Sequence, residues 1–279
     1  MQKAIGIFDS GIGGLTVLRE IAATLPRENI IYLGDTARVP YGIRSPETVT
    51  RYSFENTRFL LAHEIKMLVI ACNTASAVSL EAVKRQFPLP IVGVLEPGAR
   101  AAAAATKTGK IGVIGTEATI ASGAYEKAIR RLAPGAEVHS RACPLFVSLA
   151  EEGWTDNDVA ELVADKYLAP LRRAGIDTLV LGCTHYPLLK TVIGRSVGPE
   201  IRLIDSATET AREVKGVLEG LGQQGDGGKE GLRRYCVTDA PERFEKIGKR
   251  FLGDSRLCAE QVRVGGDAEV ANAEFRGFR

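Results

Sequence analysis

Two similar stretches of the chain constrain its fold more than any other feature. They are KMLVIACNTAS, residues 66–76, and DTLVLGCTHYP, residues 177–187. Each is a short apolar run typical of a buried β-strand, and each run ends at a cysteine followed by polar residues and a helix-like segment. Cys72 and Cys183 hold equivalent places, 111 residues apart (183 − 72). The chain is therefore predicted to contain a structural repeat.

Two further pairs of apolar runs repeat in the same order. Residues 110–115 resemble residues 3–8, with Ile111 matching Ile5 at an offset of 106 (111 − 5), and residues 203–206 resemble residues 94–97 at an offset of 109 (204 − 95). A single pair of short strands resembles another by chance. Three matches in one order at nearly constant offset favour an internal duplication.

Strand-like and helix-like segments alternate along the chain. In the first hundred residues we predict strands at 4–8, 30–33, 67–70 and 91–95, each followed by a helix: 15–25, 46–63, 75–86 and a helix opened by Pro97. Ser45, Pro46 and Glu47 are typical of a helix start. This alternation predicts an α/β fold with mainly parallel sheets flanked by helices.

The repeat and the length of 279 residues predict two similar domains. The first, discontinuous domain is expected to comprise residues 1–96 and 208–279, and the second residues 97–207. The glycine-rich and charged segment GLGQQGDGGKEG, residues 220–231, is interpreted as a flexible linker back to the first domain.

The composition argues against several classes of protein. Lys plus Arg number 36 and Asp plus Glu number 34, without a long basic block, so nucleic acid is not an expected partner. The start, MQKAIGIFDS, resembles neither a secretory signal nor a membrane span, so we expect a cytoplasmic protein with no membrane partner. Five scattered cysteines without a C-x-x-C pair predict free thiols rather than disulfides or a zinc site.

Polar neighbours make Cys72 and Cys183 candidate site residues. A lone cysteine after a strand is most often a buried structural residue, as we assign Cys143, Cys236 and Cys258. However, Asn73 and Thr74 follow Cys72, as Thr184 and His185 follow Cys183. Ligands bind at the carboxyl ends of parallel strands, where helix N-termini gather. We therefore expect each thiol near the N-terminus of a helix, with its pKa lowered.

The first strand–helix turn allows a second interpretation. In DSGIGGLT, Gly11, Gly13 and Gly14 follow a strand and Asp35 comes some twenty residues later, as in a dinucleotide-binding fingerprint. The fingerprint fails at Thr16, where glycine or alanine is required, and Asp9 would repel a pyrophosphate. We instead expect the glycines to let the backbone approach a small ligand while Asp9 and Ser10 present side chains to it.

Several motifs resemble those of the glutamate racemase family, within the aspartate/glutamate racemase superfamily. The motifs are FDSGIGGLTVL at 8–18, DTARVPYG at 35–42, ACNTAS at 71–76, GVLEPGA at 93–99, ACPLFVSLAEEG at 142–153, LGCTHYPLL at 181–189 and, more weakly, residues 233–253. The resemblance implies a cofactor-independent isomerase with two pseudo-twofold-related domains facing each other across the substrate. It also implies a role in peptidoglycan and cell-wall biogenesis, and so in cell shape, through the supply of D-glutamate.

The resemblance also implies a role for individual residues. Cys72 would be the base for D-glutamate, with Asp9 and Ser10 close by, and Cys183 the base for L-glutamate, supported by His185 and Glu151. The residues expected to bind substrate are Asp9, Ser10, Tyr41, Gly42, Asn73, Thr74, Thr116, Thr184 and His185. No metal or cofactor is expected.

The chemistry of racemisation explains the duplication. To invert a stereocentre by proton exchange, one group removes the α-proton from one face and a second group delivers a proton to the opposite face. Two similar domains supply two similar thiols, one as thiolate and one as thiol.

Three alternatives stay open from the sequence. A related, aspartate-type racemase of the same fold would share these motifs. A thiol hydrolase would pair Cys183 with His185, but it leaves the second cysteine unexplained. An amino-acid-binding protein would need the polar turns but neither thiol. The sequence leaves the oligomeric state undecided and allows a homodimer.

Overall fold

The computed structural model describes residues 2–225, 230–254 and 256–265. In chain order the elements are β1 (Ile5–Asp9), α1 (Leu15–Thr24), β2 (Ile30–Gly34), a 3-10 helix (Tyr41–Ile43), α2 (Pro46–Leu61), β3 (Met67–Ile70), α3 (Asn73–Gln86), β4 (Ile91–Gly93), α4 (Leu95–Ala105), β5 (Lys110–Gly115), α5 (Glu117–Ala121), α6 (Ala124–Leu132), β6 (Glu137–Ala142), α7 (Leu145–Glu152), α8 (Asp158–Ala174), β7 (Thr178–Gly182), a second 3-10 helix (Tyr186–Leu189), α9 (Lys190–Val197), β8 (Arg202–Asp205), α10 (Ser206–Gly220), β9 (Arg233–Val237), α11 (Pro241–Leu252) and β10 (Ala259–Gln261).

The strands form two parallel sheets flanked by helices. The first sheet has the order β10-β9-β2-β1-β3-β4 and the second the order β6-β5-β7-β8. Every described pair of neighbouring strands runs parallel. The predicted α/β fold class is confirmed. Among the described residues, no helix is both long and apolar enough to cross a membrane.

The two sheets repeat one strand order. The order β2-β1-β3-β4 in the first sheet corresponds strand for strand to β6-β5-β7-β8 in the second. The strands β3 and β7 that precede the two cysteines are equivalent in this comparison, and both are buried at every position. The repeated order supports the internal duplication inferred from the sequence.

The chain returns to the first sheet after α10. There β9 pairs with β2 and β10 pairs with β9. The division at residues 96/97 and 207/208 stays a prediction. The described ends of the expected linker are hydrogen-bonded near β2, with the Gly225 N–H on Glu28 and the Gly231 N–H on the Pro26 carbonyl. Its centre, residues 226–229, lies outside the described residues.

The predicted start of α2 agrees with the structure, but the predicted limits of β4 and α4 do not. The helix start at Ser45 is as expected, since the Ser45 hydroxyl accepts from the Thr48 N–H at 3.3 Å and Pro46 begins α2. By contrast, the strand predicted at 91–95 ends at Gly93, and α4 begins at Leu95 rather than at Pro97. Pro97 is tolerated at the third helical position because N–H groups of a first turn have no intrahelical acceptor.

Candidate active site

Cys72 lies where β3 ends and α3 begins. It is the N-cap of α3, and its Sγ accepts a hydrogen bond from the Ala75 N–H at 3.4 Å. The side chain is buried, with 5% of its surface exposed. The sequence prediction of a thiol at a helix N-terminus therefore holds at this position.

The predicted lowering of the Cys72 pKa is wrong in this arrangement. Burial and, after it, the neighbouring Asp9 carboxylate raise the pKa of the thiol to about 12. The Ala75 N–H and the Ser10 side chain act in the opposite direction. Because burial outweighs these donors, Cys72 is held as a thiol.

Cys183 follows β7 directly but has a different local setting. No α-helix begins there: the Tyr186 N–H bonds to the Cys183 carbonyl, a 3-10 helix begins at Tyr186, and α9 begins only at Lys190. The expected helix N-terminus is therefore absent at this thiol. Its support comes from His185, whose Nδ1 lies 3.9 Å from the Cys183 Sγ.

His185 connects Cys183 to Glu151. The His185 Nε2 lies 3.2 Å from the Glu151 Oε1. Burial alone lowers the pKa of His185, but the interactions with Cys183 and Glu151 outweigh burial and raise the pKa to about 10. The same hydrogen bond from His185 lowers the pKa of Glu151. His185 is therefore an imidazolium beside the Cys183 sulfur, with a carboxylate behind it.

Asp9 lies at the end of β1, near Cys72 and near the His185 side chain that accompanies Cys183. Its Oδ2 accepts from the Gly11 N–H at 2.9 Å. Burial raises the pKa of Asp9, and the charge on His185 opposes that rise. Since Asp9 also influences the pKa of Cys72, one carboxyl group faces both halves of the site.

The carboxyl ends of the two sheets meet in close contact. A Cβ added to Gly13 would lie 2.2 Å from the Thr184 Oγ1 and 2.6 Å from the His185 ring. The Thr16 hydroxyl donates to the Thr184 carbonyl at 2.9 Å. The close approach expected at the first turn is thus made to residues that follow β7 of the second sheet. Glycine at position 13 therefore lets two halves of the molecule meet, one carrying the first sheet and the other the second.

Two buried polar atoms near the thiols have no protein partner among the described residues. They are the Asp9 Oδ1, an acceptor when ionised, and the Asn73 Nδ2, a donor. The other end of the Asn73 amide is fixed, because its Oδ1 accepts from the Tyr125 hydroxyl at 2.6 Å. Buried polar atoms in native proteins nearly always have partners, so this pair indicates a polar ligand.

Threonine hydroxyls from both halves form a second polar contact. Thr74 at the start of α3 lies 2.9 Å from the Thr116 hydroxyl and 3.1 Å from that of Thr119, and these two hydroxyls are 2.9 Å apart. Gly42 packs against Thr116, since a Cβ there would lie 2.8 Å from the Thr116 Cβ. The structure therefore brings together Gly42, Thr74 and Thr116, as the sequence suggested.

Tyr41 takes a different position from the one expected of a substrate-binding hydroxyl. Its hydroxyl donates to the buried Asp35 carboxylate and accepts from the Asn56 amide at 3.1 Å. Tyr41 can therefore offer a ligand only its backbone. Arg38 and Thr238 also bind Asp35, so this carboxylate is not free to bind a ribose as the dinucleotide hypothesis requires.

Three further residues at the site were not singled out from the sequence. Tyr125 donates a hydrogen bond to Asn73, and Thr16 donates one to the Thr184 carbonyl. Thr119 is hydrogen-bonded to Thr74 and, with Thr116, completes what we call the threonine cluster. Thr119 lies on the short helix α5 and Tyr125 on α6, and neither stands in a motif that signals a site in the sequence. In the sequence, Thr16 stands out only as the residue that breaks the dinucleotide-binding fingerprint.

The chain is similar to proteins of known identity over nearly its whole length. The Asp/Glu/Hydantoin racemase family model matches residues 5–214. A glutamate racemase of Geobacter metallireducens is 60% identical over 267 residues, covering 96% of this chain and 99% of that protein. A glutamate racemase isoform of Bacillus anthracis has a similar structure, with a TM-score of 0.90 and 44% identity over 94% of this chain and 97% of that chain. A Francisella tularensis glutamate racemase in complex with D-glutamate gives a TM-score of 0.88 and 37% identity over 94% and 98%.

Proposed function

The chain belongs to the Asp/Glu/hydantoin racemase family and is an isomerase, and we propose that it interconverts L-glutamate and D-glutamate. Relatives that are 60% and 50% identical to this chain are named glutamate racemase, which supports glutamate as the substrate. The single observation that carries a two-base mechanism is the equivalence of Cys72 and Cys183. Each follows the corresponding strand of a repeated sheet, both are buried, and Cys183 is close enough to Cys72 to raise the pKa of its thiol.

In the proposed reaction, one sulfur removes the α-proton and the other supplies one. With L-glutamate, the Cys183 thiolate takes the proton of the Cα–H bond, whose electron pair stays on the substrate as a carbanion. The Cys72 thiol then donates its proton to the opposite face, which leaves Cys72 as the thiolate. With D-glutamate the roles reverse, so the proposal needs no redox partner and no cofactor.

The protonation of Cys72 and the charge beside Cys183 support this assignment of roles. Burial and Asp9 keep Cys72 protonated, as a proton donor must be. Beside Cys183, the Nδ1 of the His185 imidazolium lies 3.9 Å from the sulfur, so a positive charge stands next to the second proton-transfer group. Cys72 as a thiol is the proton donor for the reaction that starts from L-glutamate, and loss of its proton to Asp9 or through His185 would prepare the site for D-glutamate.

Polar atoms of the site match the charged groups of an amino acid. The unpartnered Asp9 Oδ1 is a suitable acceptor for an α-ammonium group, and the unpartnered Asn73 Nδ2 is a suitable donor for a carboxylate. We assign substrate contacts also to Ser10, Thr74, Thr116 and Thr184, and to the backbone of Tyr41 and Gly42. Neutral donors of this kind would stabilise the negative charge that develops when the α-proton leaves.

Exchange of the α-hydrogen in D₂O tests this function directly. Purified protein, dialysed against a metal chelator and given no cofactor, should replace the α-hydrogen of either glutamate enantiomer with deuterium, as followed by proton NMR. The same sample should bring the optical rotation of either enantiomer to zero. Binding without exchange would show an amino-acid-binding protein instead.

Aspartate offered in place of glutamate tests the substrate assignment. We expect exchange with glutamate to be faster than with aspartate by at least about tenfold. Faster exchange with aspartate would identify an aspartate-type racemase of the same family. If glutamate is the substrate, we propose that the D-glutamate formed supplies peptidoglycan synthesis. Expression of this chain should then relieve the D-glutamate requirement of a bacterium that lacks its own glutamate racemase.

A further inference from the structure

Helix α11 belongs with the first sheet, but it also contacts residues that belong with the second sheet. It lies between β9 and β10 in the chain, and Phe244, Ile247 and Phe251 bury its inner face. The Arg19 side chain of α1 donates to the Phe251 carbonyl at 3.0 Å, which fixes the last turn of α11. From this anchored helix, three side chains contact α7 and His185 of the other half.

Arg250 binds the C-terminal end of α7. One guanidinium nitrogen donates to the Glu152 carbonyl at 3.1 Å and the other to the Glu151 carbonyl. The last carbonyls of a helix have no intrahelical donor, so this cation satisfies two of them. Gly153 leaves the space for it: a Cβ at this position, where φ is +79°, would lie 2.3 Å from Arg250.

Arg243 binds the carboxylate of the same glutamate. It donates to the Glu151 Oε2 at 3.3 Å, while the Glu151 Oε1 lies 3.2 Å from His185. The Phe251 ring packs edge-on against the His185 ring, with centroids 5.6 Å apart and an angle of 88°. Both partners of the Glu151–His185 pair are therefore held by α11.

We propose that α11 is a positioning element for the acid–base pair on the Cys183 side, in which Arg250 and Arg243 hold Glu151 against His185. The inference rests on the proposed function for its catalytic consequence, but the geometry that it concerns exists independently of any substrate. Neither arginine touches the reacting atoms. Each acts through Glu151.

The charges around His185 show what loosening Glu151 would do. Cys183 faces it from the end of β7, Glu151 from α7 and Asp9 from the end of β1, while Arg243 of α11 faces Glu151. If Glu151 moves away, His185 loses a negative neighbour and releases its proton at lower pH. The Cys183 thiolate then loses its cationic neighbour over the same pH range.

Titration of the histidines by NMR tests the positioning role without reference to activity. The chain has only three histidines, His63, His139 and His185, so labelled imidazoles give few signals, and a His185→Gln sample assigns the third. In Arg250→Ala and Arg243→Ala we expect the titration midpoint of His185 to fall by about one pH unit or more. Lys249→Ala is the matched control, because it removes the same charge about 100° around the helix from Arg250; its His185 midpoint should equal that of the wild type.

Kinetics provide the second readout. The basic limb of the kcat/KM profile for glutamate should move to lower pH by the same shift in both alanine variants. Arg250→Lys keeps the charge but loses the paired hydrogen bonds to the two carbonyls, so its shift should be smaller than that of Arg250→Ala. If Arg250→Ala does not fold, Arg250→Lys tests the proposal at this position. An unchanged His185 midpoint in the folded variants at both positions would overturn the proposal. A wild-type protein that fails to racemise glutamate would refute the proposed function and leave the NMR comparison decisive for α11.

Discussion

At the residue scale, the two candidate bases are alike in chemistry and differ in their neighbours. Cys72 is capped by a backbone N–H and lies beside a carboxyl group, whereas Cys183 lies beside an imidazolium. Burial makes the thiol form of Cys72 dominant, whereas Cys183 has the positive charge of His185 beside it. The duplication thus supplied two equivalent thiols, and the side chains around them differ.

Replacement of His185 should change how the stability of the protein depends on pH. The pKa of His185 is raised from its ordinary 6.5 to about 10, so its contribution to stability is fully present below pH 6.5 and is lost as the pH rises towards 10. We expect the difference in free energy of unfolding between the wild type and His185→Gln to shrink over that interval. Urea unfolding of both proteins across the interval measures the difference. A difference that grows with pH would contradict the charged state assigned to His185.

Tyr125→Phe should affect both stability and substrate binding. Removal of the hydroxyl leaves the buried Asn73 Oδ1 without its donor, which costs about 1–3 kcal/mol. Because the Asn73 amide is then free to turn, we expect KM for glutamate to rise. The matched control is Tyr167→Phe, whose hydroxyl accepts only a long, exposed bond from the Leu145 N–H at 3.3 Å and should lose little. Equal stability and equal KM in the two variants would refute a role for Tyr125 in fixing Asn73.

The sequence indicated those site residues that lie on or beside the motifs. The structure brings Asp9 near Cys72, and His185 and Glu151 to Cys183, although their catalytic roles stay predictions. The hydrogen-bond partner of the Tyr41 hydroxyl could not be predicted from the sequence, because the packing of the loop determines that the hydroxyl contacts Asp35. Tyr125 is 52 residues from the Asn73 amide that it holds, and only the tertiary fold brings them together.

At the scale of elements, the turn between β1 and α1 is a contact between the halves of the molecule. The Gly13 backbone lies against Thr184 and His185, where a methyl group has no room. The same turn carries Asp9 and Ser10. A change in the turn therefore alters both the contact and the side chains beside Cys72.

Gly13→Ala should reduce both activity and stability. The added Cβ would lie 2.2 Å from the Thr184 Oγ1, so the turn or the second half must shift. Overpacking of this kind costs about 1–3 kcal/mol, and because an ångström-scale displacement of catalytic groups can lower the rate about 10²-fold, we expect a loss of that size in kcat/KM. Thermal unfolding and racemisation assays measure the two effects.

Gly216→Ala provides the control for this glycine. Gly216 lies within α10, and nothing is within 4 Å of an added Cβ. Alanine is the better helix former by about 1 kcal/mol, so this variant should be slightly more stable with unchanged activity. Full activity in Gly13→Ala would show that the close contact is not needed for catalysis.

The order of elements was predictable, but their exact limits and some partners were not. Alternating apolar runs and helical patterns predicted the strands β1, β2, β3 and β7 because their periodicity is local. The start of α4 was misplaced because Pro97 is accepted within a first turn and does not have to begin it. The 3-10 helix after Cys183 and the clamp of α11 on α7 depend on tertiary contacts that have no periodic signal.

At the scale of the whole molecule, the site is enclosed between the two halves. The exposed fraction is 5% for Cys72 and 6% for Cys183, and the contacts of Gly13 and of the threonine cluster close the space between the sheets. A substrate can reach the sulfurs only if these contacts open. We therefore expect the parts of the chain that carry the two sheets to separate when a substrate enters.

Hydrogen exchange should report this opening. Saturating glutamate should slow amide exchange at residues 10–16, 72–76 and 183–188, because the ligand binds the closed form and reduces the population of the open one. Exchange in β9, far along the first sheet, should change little and serves as the internal control. Equal protection throughout the chain, or none at the three segments, would contradict an opening between the halves.

The pair of cysteines is the centre of the account, and racemisation by Cys72→Ser and Cys183→Ser tests it most directly. Each substitution is nearly isosteric and removes one proton-transfer group while the other stays in place. Loss of an acid–base group should lower the rate of racemisation by about 10³-fold or more in each variant, with folding preserved. The approach of optical rotation to zero, measured from both glutamate enantiomers, gives this rate. Full activity in either variant would contradict a mechanism that uses both thiols.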